Sequence, residues 1–199
     1  MTRPSARPSL ARVAMLTLIS LPLTAVPAGA QQIDPERYEQ LAYRHIGPVG
    51  NRISAVSGVV GDRLTYYAGA AAGGIWKSVD GGEYWEPIFD DETDHSIGAL
   101  AVSTSDPAVV WAGTGEPHIR SNVSLGTGVY KSTNAGATWE HMGLGEGGPT
   151  RVSRIVIHPT NPDIVYVAML GHSHGPQATR GIFRTIDGGE TWEHVLFAN

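Results

Sequence analysis

Three stretches of this chain align without a gap. GGIWKSVDGGEYWEPIF runs from Gly73 to Phe89, TGVYKSTNAGATWEHMG from Thr127 to Gly143, and RGIFRTIDGGETWEHVL from Arg180 to Leu196. Their tryptophans, Trp85, Trp139 and Trp192, stand 54 and 53 residues apart. A second element recurs upstream of each: GALAVSTSDPAVVWAG (Gly98 to Gly113) matches SRIVIHPTNPDIVYVA (Ser153 to Ala168), and SAVSGVVGDRLTYYAG (Ser54 to Gly69) is a looser copy. A repeat of this length marks supersecondary units that bury their apolar faces against their neighbours and not alone.

Within each unit, short β-branched or aromatic runs alternate with turn chemistry. In the second unit Ile97 to Val102, Val109 to Ala112, Gly128 to Ser132 and Thr138 to His141 read as strands, with Ser105-Asp106-Pro107 as a turn. Helical periodicity is weak everywhere outside Pro35 to Tyr43. The expected class is all-β, a β-propeller of four-stranded blades at about 51–96, 97–151 and 152–199; a solenoid or sandwich is the architectural alternative. Propeller rings use roughly four to eight blades. Three blades are an incomplete ring, so the chain reads as a segment completed by further blades of a longer chain or by another copy.

The repeated motif falls between the third and fourth strands of each unit. Ser78, Asp80, Gly82 and Trp85 recur as Ser132, Asn134, Gly136 and Trp139, and as Thr185, Asp187, Gly189 and Trp192. Asp or Asn folds a side-chain oxygen onto nearby backbone N–H groups, the glycine supplies backbone freedom, and the tryptophan anchors the hairpin from beneath. Repetition points to a building device, because a catalytic residue is needed once. Asn134 in the Asp position keeps the turn chemistry but has no use as a general acid or base.

The first 30 residues read as a signal peptide, followed by a lead-in at 31–50. Arg3, Arg7 and Arg12 precede an apolar stretch from Val13 to Val26, and Ala28-Gly29-Ala30 is a small-x-small cleavage site. Export to the periplasm or the medium follows, with no integral membrane segment after cleavage. Of the 14 basic residues, these three leave with the leader, so 11 remain against 19 acidic ones, a formal charge of −8. That balance argues against a nucleic-acid partner. The chain has no cysteine, so its stability has to come from packing.

The turns resemble the Asp-box, or BNR, repeats of sialidases, xyloglucanases and sortilin-type ectodomains. RISAVSG, GGIWKSVDGG, IGALAVSTSDP, GTGEPHIRSNVS and HPTNPDIVYVA read most like the sortilin-like N-terminal propellers of exported bacterial proteins labelled glycosyl hydrolases. The resemblance covers about Ile46 to Phe197. The sortilin-type likeness implies a scaffold holding a protein, peptide or glycan ligand. The xyloglucanase likeness implies a catalytic carboxylate at the position that is Ala71 here, and a methyl group neither protonates nor attacks. Hydrolysis, the alternative function, then needs carboxylates outside this segment.

Strand parity puts the loops between second and third strands, and between successive blades, on the rim opposite the repeated turns. Glu116, His118 and Arg120, with His172, His174 and Arg180, are the ligand-binding candidates there, since loops on a rigid scaffold carry contacts. Asp90, Asp91, Glu92, Asp94, His95, Glu146 and Arg151 share that rim. His172 and His174 with Glu116 or His118 are metal-ligand types. A solvated, glycine-flanked loop is the preferred reading, and no metal or cofactor is expected.

Overall fold

A computed structural model describes residues 52–146, 148, 150–172 and 174–197. The expected leader, the lead-in and the 35–43 segment lie outside these residues.

The described residues form three four-stranded antiparallel meanders and no helix. The first contains β1 (Ile53–Gly58), β2 (Tyr66–Ala70), β3 (Ile75–Ser78) and β4 (Glu86–Pro87). The second contains β5 (Ile97–Val102), β6 (Val110–Thr114), β7 (Val129–Ser132) and β8 (Glu140–His141). The third contains β9 (Val152–His158), β10 (Asn161–Met169), β11 (Gly181–Thr185) and β12 (Glu193–Phe197). Within each meander every strand pairs with the next in sequence, as in propeller blades.

Four strand limits of the middle blade differ from the sequence reading, two of them, at Val110 and Val129, by one residue and two by more. The second strand of the middle blade continues to Thr114 instead of stopping at Ala112, because Thr114 closes onto Gly128 twice: its N–H and its hydroxyl both donate to the Gly128 carbonyl, at 2.9 and 2.8 Å. Its fourth strand starts at Glu140, since the Thr138 N–H belongs to the turn and donates to Asn134 Oδ1 at 2.8 Å.

The first strands β1, β5 and β9 are neighbours and line a groove of about 390 Å³. Each carries a register shift near its start, at Ser54, Gly98 and Ser153. The Ser54 hydroxyl donates to the Ile97 carbonyl in the next blade. At Gly98 a Cβ would stand 2.2 Å from the carbonyl oxygens of both Gly115 and Val152, so only glycine fits this bulge.

The core lies between blades. Tyr67, Ile75, Phe89, Ile97, Val110 and Tyr130 fill the first junction; Trp111, Val129, Val152, Ile155, Val165 and Val167 fill the second. Each such side chain contributes roughly 1.5–3 kcal/mol by leaving water. Trp85 keeps its N–H on its own turn, at 3.0 Å from the Gly82 carbonyl, but the other two tryptophans reach beyond their hairpins. Trp139 reaches back to the first blade, donating to the Ile88 carbonyl at 2.7 Å and meeting Phe89 edge-on. Trp192 does the same to the second, donating to the Met142 carbonyl at 2.7 Å and meeting Trp111 edge-on. The physical reason is that a single-layered hairpin has no interior for an indole, whereas the preceding blade offers both an apolar wall and a carbonyl to accept its N–H.

Candidate functional site

The repeated turns are closed by their own side chains. Ser78 Oγ donates to Asp80 Oδ1 at 2.8 Å and accepts from the Gly82 N–H at 2.8 Å. Asp80 then accepts from the N–H groups of Glu83 and Tyr84 at 2.9 and 3.0 Å. Ser132 and Asn134 repeat this with Gly136 and Thr138, and Thr185 and Asp187 with Gly189 and Thr191. These bonds favour the charged carboxylate. The Tyr84 N–H and the Ser78 hydroxyl hold Asp80 below the usual range, and the Thr185 and Thr191 hydroxyls hold Asp187 further below it. Both groups are thereby occupied in architecture.

On the opposite rim, the loop after β6 is pinned from beneath. Glu116 is 3% exposed. Its Oε1 accepts from Arg120 Nε at 2.7 Å and its Oε2 from Arg120 Nη2 at 2.5 Å, a bidentate pair. Arg52 from the first blade approaches Oε1 at 3.7 Å. The remaining Arg120 nitrogen, Nη1, donates to Asn122 Oδ1 at 2.6 Å. The Glu116 N–H donates to the Ser124 carbonyl, and the Gly115 N–H to the Ser96 carbonyl. Glu116 and Arg120 therefore shape the loop, and the residues they present outward are His118 and Ile119, with Leu125 also exposed.

The loop after β10 uses its arginine in the same way. Arg180 Nε donates to the Leu170 carbonyl at 3.0 Å and Nη2 to the His172 carbonyl at 2.9 Å, while Gln177 Nε2 donates to the His172 carbonyl at 3.2 Å. His172 and His174 remain exposed at the surface. No group of three or more His, Cys, Asp or Glu side chains is placed to hold a metal among the described residues. The structure brings Glu116 together with Arg120, and brings none of the histidines to them by a bond.

Sequence reading missed a polar chain at the junction of the first two blades. The Thr127 hydroxyl bonds Asp94 Oδ2 at 3.5 Å and the Tyr130 hydroxyl at 3.1 Å, and His141 Nε2 lies 2.8 Å from the Thr127 carbonyl. Burial, and then the Asp91 charge, push the Glu92 carboxyl up. A signal for part of this was present: His141 and His194 hold equivalent places in two repeats. Each packs against an aromatic on the paired strand, Tyr130 at 5.0 Å and Phe183 at 4.2 Å, which makes these histidines hairpin partners. Among the remaining rim residues, Asp90, Asp91, His95 and Glu146 are exposed, and Arg151 is buried. Ala71 is buried, with its N–H donating to the Arg52 carbonyl at 2.8 Å.

No family model matches the chain. Xyloglucanase Xgh74A of Acetivibrio thermocellus is 28% identical over 140 residues, covering 65% of this chain and 16% of that protein. Among solved structures, an ancestral GH74 enzyme superposes with a TM-score of 0.57 at 20% identity, over 79% of this chain and 20% of its own. YCF48 bound to D1 peptide superposes with a TM-score of 0.52 at 20% identity, over 77% of this chain and 44% of its own. The chain spans less than half the length of each of these proteins. At this level of identity the likeness establishes the fold, a β-propeller arrangement of blades.

Proposed function

We propose that this chain is an exported Asp-box propeller segment of the sortilin-like type that acts as a recognition and scaffold module, holding a protein, peptide or glycan ligand on its loop rim. One observation carries the reading. The buried Glu116 carboxylate is paired bidentately with Arg120 within the rim loop, while His118 and Ile119 are left exposed. A binding surface gains from such pre-organisation, since less ordering entropy is lost when the ligand arrives. YCF48, a neighbour in fold, is solved with a peptide, which supports the peptide arm of this reading. No cofactor, metal or nucleic acid enters it.

The test is calorimetric titration of the purified protein with xyloglucan oligosaccharides and, separately, with an extended-peptide panel. His118→Ala and Ile119→Ser should each weaken the binding partner about tenfold, or about 1.4 kcal/mol, at unchanged melting temperature. Absence of binding in both arms, or binding indifferent to both substitutions, would sink the proposal. Export is tested separately by N-terminal sequencing of the secreted product, expected to start near Gln31.

The likeness to xyloglucanase supports a second reading, the N-terminal propeller part of a glycoside hydrolase. Such chemistry needs two placed carboxyl groups. Here Glu116 is tied to Arg120, Asp80 and Asp187 to their turns, and Ala71 is a buried methyl. On this reading the chain alone releases no reducing ends from xyloglucan, and a longer protein containing it does.

A further inference from the structure

We propose that the cleft between the second and third blades binds an alkylammonium group, as carried by a lysine side chain or a free diamine. The cleft has a volume of about 600 Å³ and runs along β8, from the repeated turn that precedes β12 to the turn that follows β8. Trp192, Met142 and Leu144 form its apolar part, and Glu140, Glu146 and Glu190 bring carboxylates to it. None of its lining residues belongs to the loop that presents His118 and Ile119. The Trp192 indole is fixed there by its N–H bond to the Met142 carbonyl and by its edge contact with Trp111.

The counterpart cleft at the first junction shows what leaves room in this one. There Ile88, Phe89, Glu92 and Trp139 stand at the positions of Met142, Gly143, Glu146 and Trp192, and the space is about 200 Å³. The Phe89 side chain is 1% exposed and meets Trp139 edge-on. Gly143 has no side chain to put in that place, so the space beside Trp192 stays open. Glu146 lies over the gap, because a Cβ at Gly143 would stand 3.6 Å from Glu146 Oε1. The turn between them packs directly on the second blade: a Cβ at Gly145 would stand 1.8 Å from the Thr127 carbonyl oxygen. Leu144 takes a φ of 63° in that turn, the left-handed region that L side chains rarely adopt.

Charge selects the class of ligand. Among the described residues the ion pairs join Arg52 and Arg120 to Glu116 and Arg184 to Glu193, and none reaches Glu140, Glu146 or Glu190. His141 also lines the cleft, with its Nε2 engaged at 2.8 Å by the Thr127 carbonyl. The carboxylates are not grouped to hold one metal ion among the described residues. Acids spread around an indole suit a cation with an aliphatic body. Its ammonium meets the carboxylates and the ring, and its methylenes cover Met142 and Leu144. The same junction uses this chemistry internally, with Lys131 Nζ 5.4 Å over the Trp111 ring.

The test follows the Trp192 indole N–H resonance of the labelled protein during titration with cadaverine, with a blocked glycyl-lysyl-glycine peptide, and with an uncharged xyloglucan oligosaccharide. Cadaverine should shift that resonance saturably, and pentanediol of the same length should not. Glu146→Gln and Glu190→Gln alter exposed side chains and should each weaken binding about fivefold. Glu86→Gln, the same loss of charge in the first blade, and His118→Ala on the rim should leave it unchanged. Binding of the peptide but not of its norleucine counterpart assigns the ammonium to a lysine side chain, and binding of the diamine alone assigns it to a free amine; either result supports the site. No shift with either amine, an equal response to pentanediol or to the norleucine peptide, a response to the oligosaccharide in place of the amines, or binding indifferent to both glutamine variants would overturn it.

Discussion

Asn134 and Asp187 do the same structural work with different chemistry, and the difference is testable. Asn134 Nδ2 donates to the Thr138 hydroxyl at 2.8 Å, whereas the Thr191 hydroxyl donates to Asp187 Oδ2 at 2.5 Å. A hydroxyl serves in either direction, so Asp187→Asn should leave the melting temperature at pH 7 nearly unchanged. Asp80 has Tyr84 in that place, and the Tyr84 N–H donates to both carboxylate oxygens, at 3.0 and 3.1 Å. An amide NH₂ there meets another donor, and Asp80→Asn should lower the melting temperature more; thermal melts of the two variants decide it. The acid response follows from the same bonds. Both carboxyls are held below their unfolded range. Their stabilisation is therefore complete above about pH 4 and is lost as pH falls through the depressed native values. A variant with both as Asn should show a shallower fall in melting temperature below about pH 4 than the native chain.

At the level of the element, blades are joined by parts that a lone hairpin does not need. Trp192→Phe keeps most of the packing but strands the Met142 carbonyl, and should cost about 0.5–1.5 kcal/mol in denaturant unfolding. Trp85→Phe loses only a bond inside its own turn and should cost less. Gly113→Ala drives a methyl against Val152 and should cost about 1–3 kcal/mol by overpacking. The rim loop depends on a buried charge. Arg120→Ala strips both short hydrogen bonds from a carboxylate that is 4% exposed and should cost about 3–5 kcal/mol, while Arg52→Ala, which removes an exposed partner at 3.7 Å, should cost no more than about 1 kcal/mol. Urea titrations of the two arginine variants would expose the reverse order if the second blade leaned on Arg52.

For the molecule as a whole, the repeat period carried most of the fold. Gapless recurrence of the apolar strands and of the Ser/Thr-x-Asp/Asn turn implies equivalent blades whatever the detailed packing, and three four-stranded meanders are what the described residues form. The candidate site was legible only in part. Glu116, His118 and Arg120 were singled out by residue type, yet type does not distinguish a ligand contact from a loop brace. That distinction came from the backbone of Ser96 and Ser124, which draws Glu116 inward where only a charged partner makes its burial tolerable. Arg180 was read as a ligand contact for the same reason, and its guanidinium is engaged by the carbonyls of Leu170 and His172. Ser78, Asp80 and Gly82 determine their turn from sequence alone, because their hydrogen bonds span at most four residues. Trp139 and Trp192 find their partners 51 and 50 residues away, so only tertiary structure decided that these side chains join blades, along with which rim charges are engaged within their own loops.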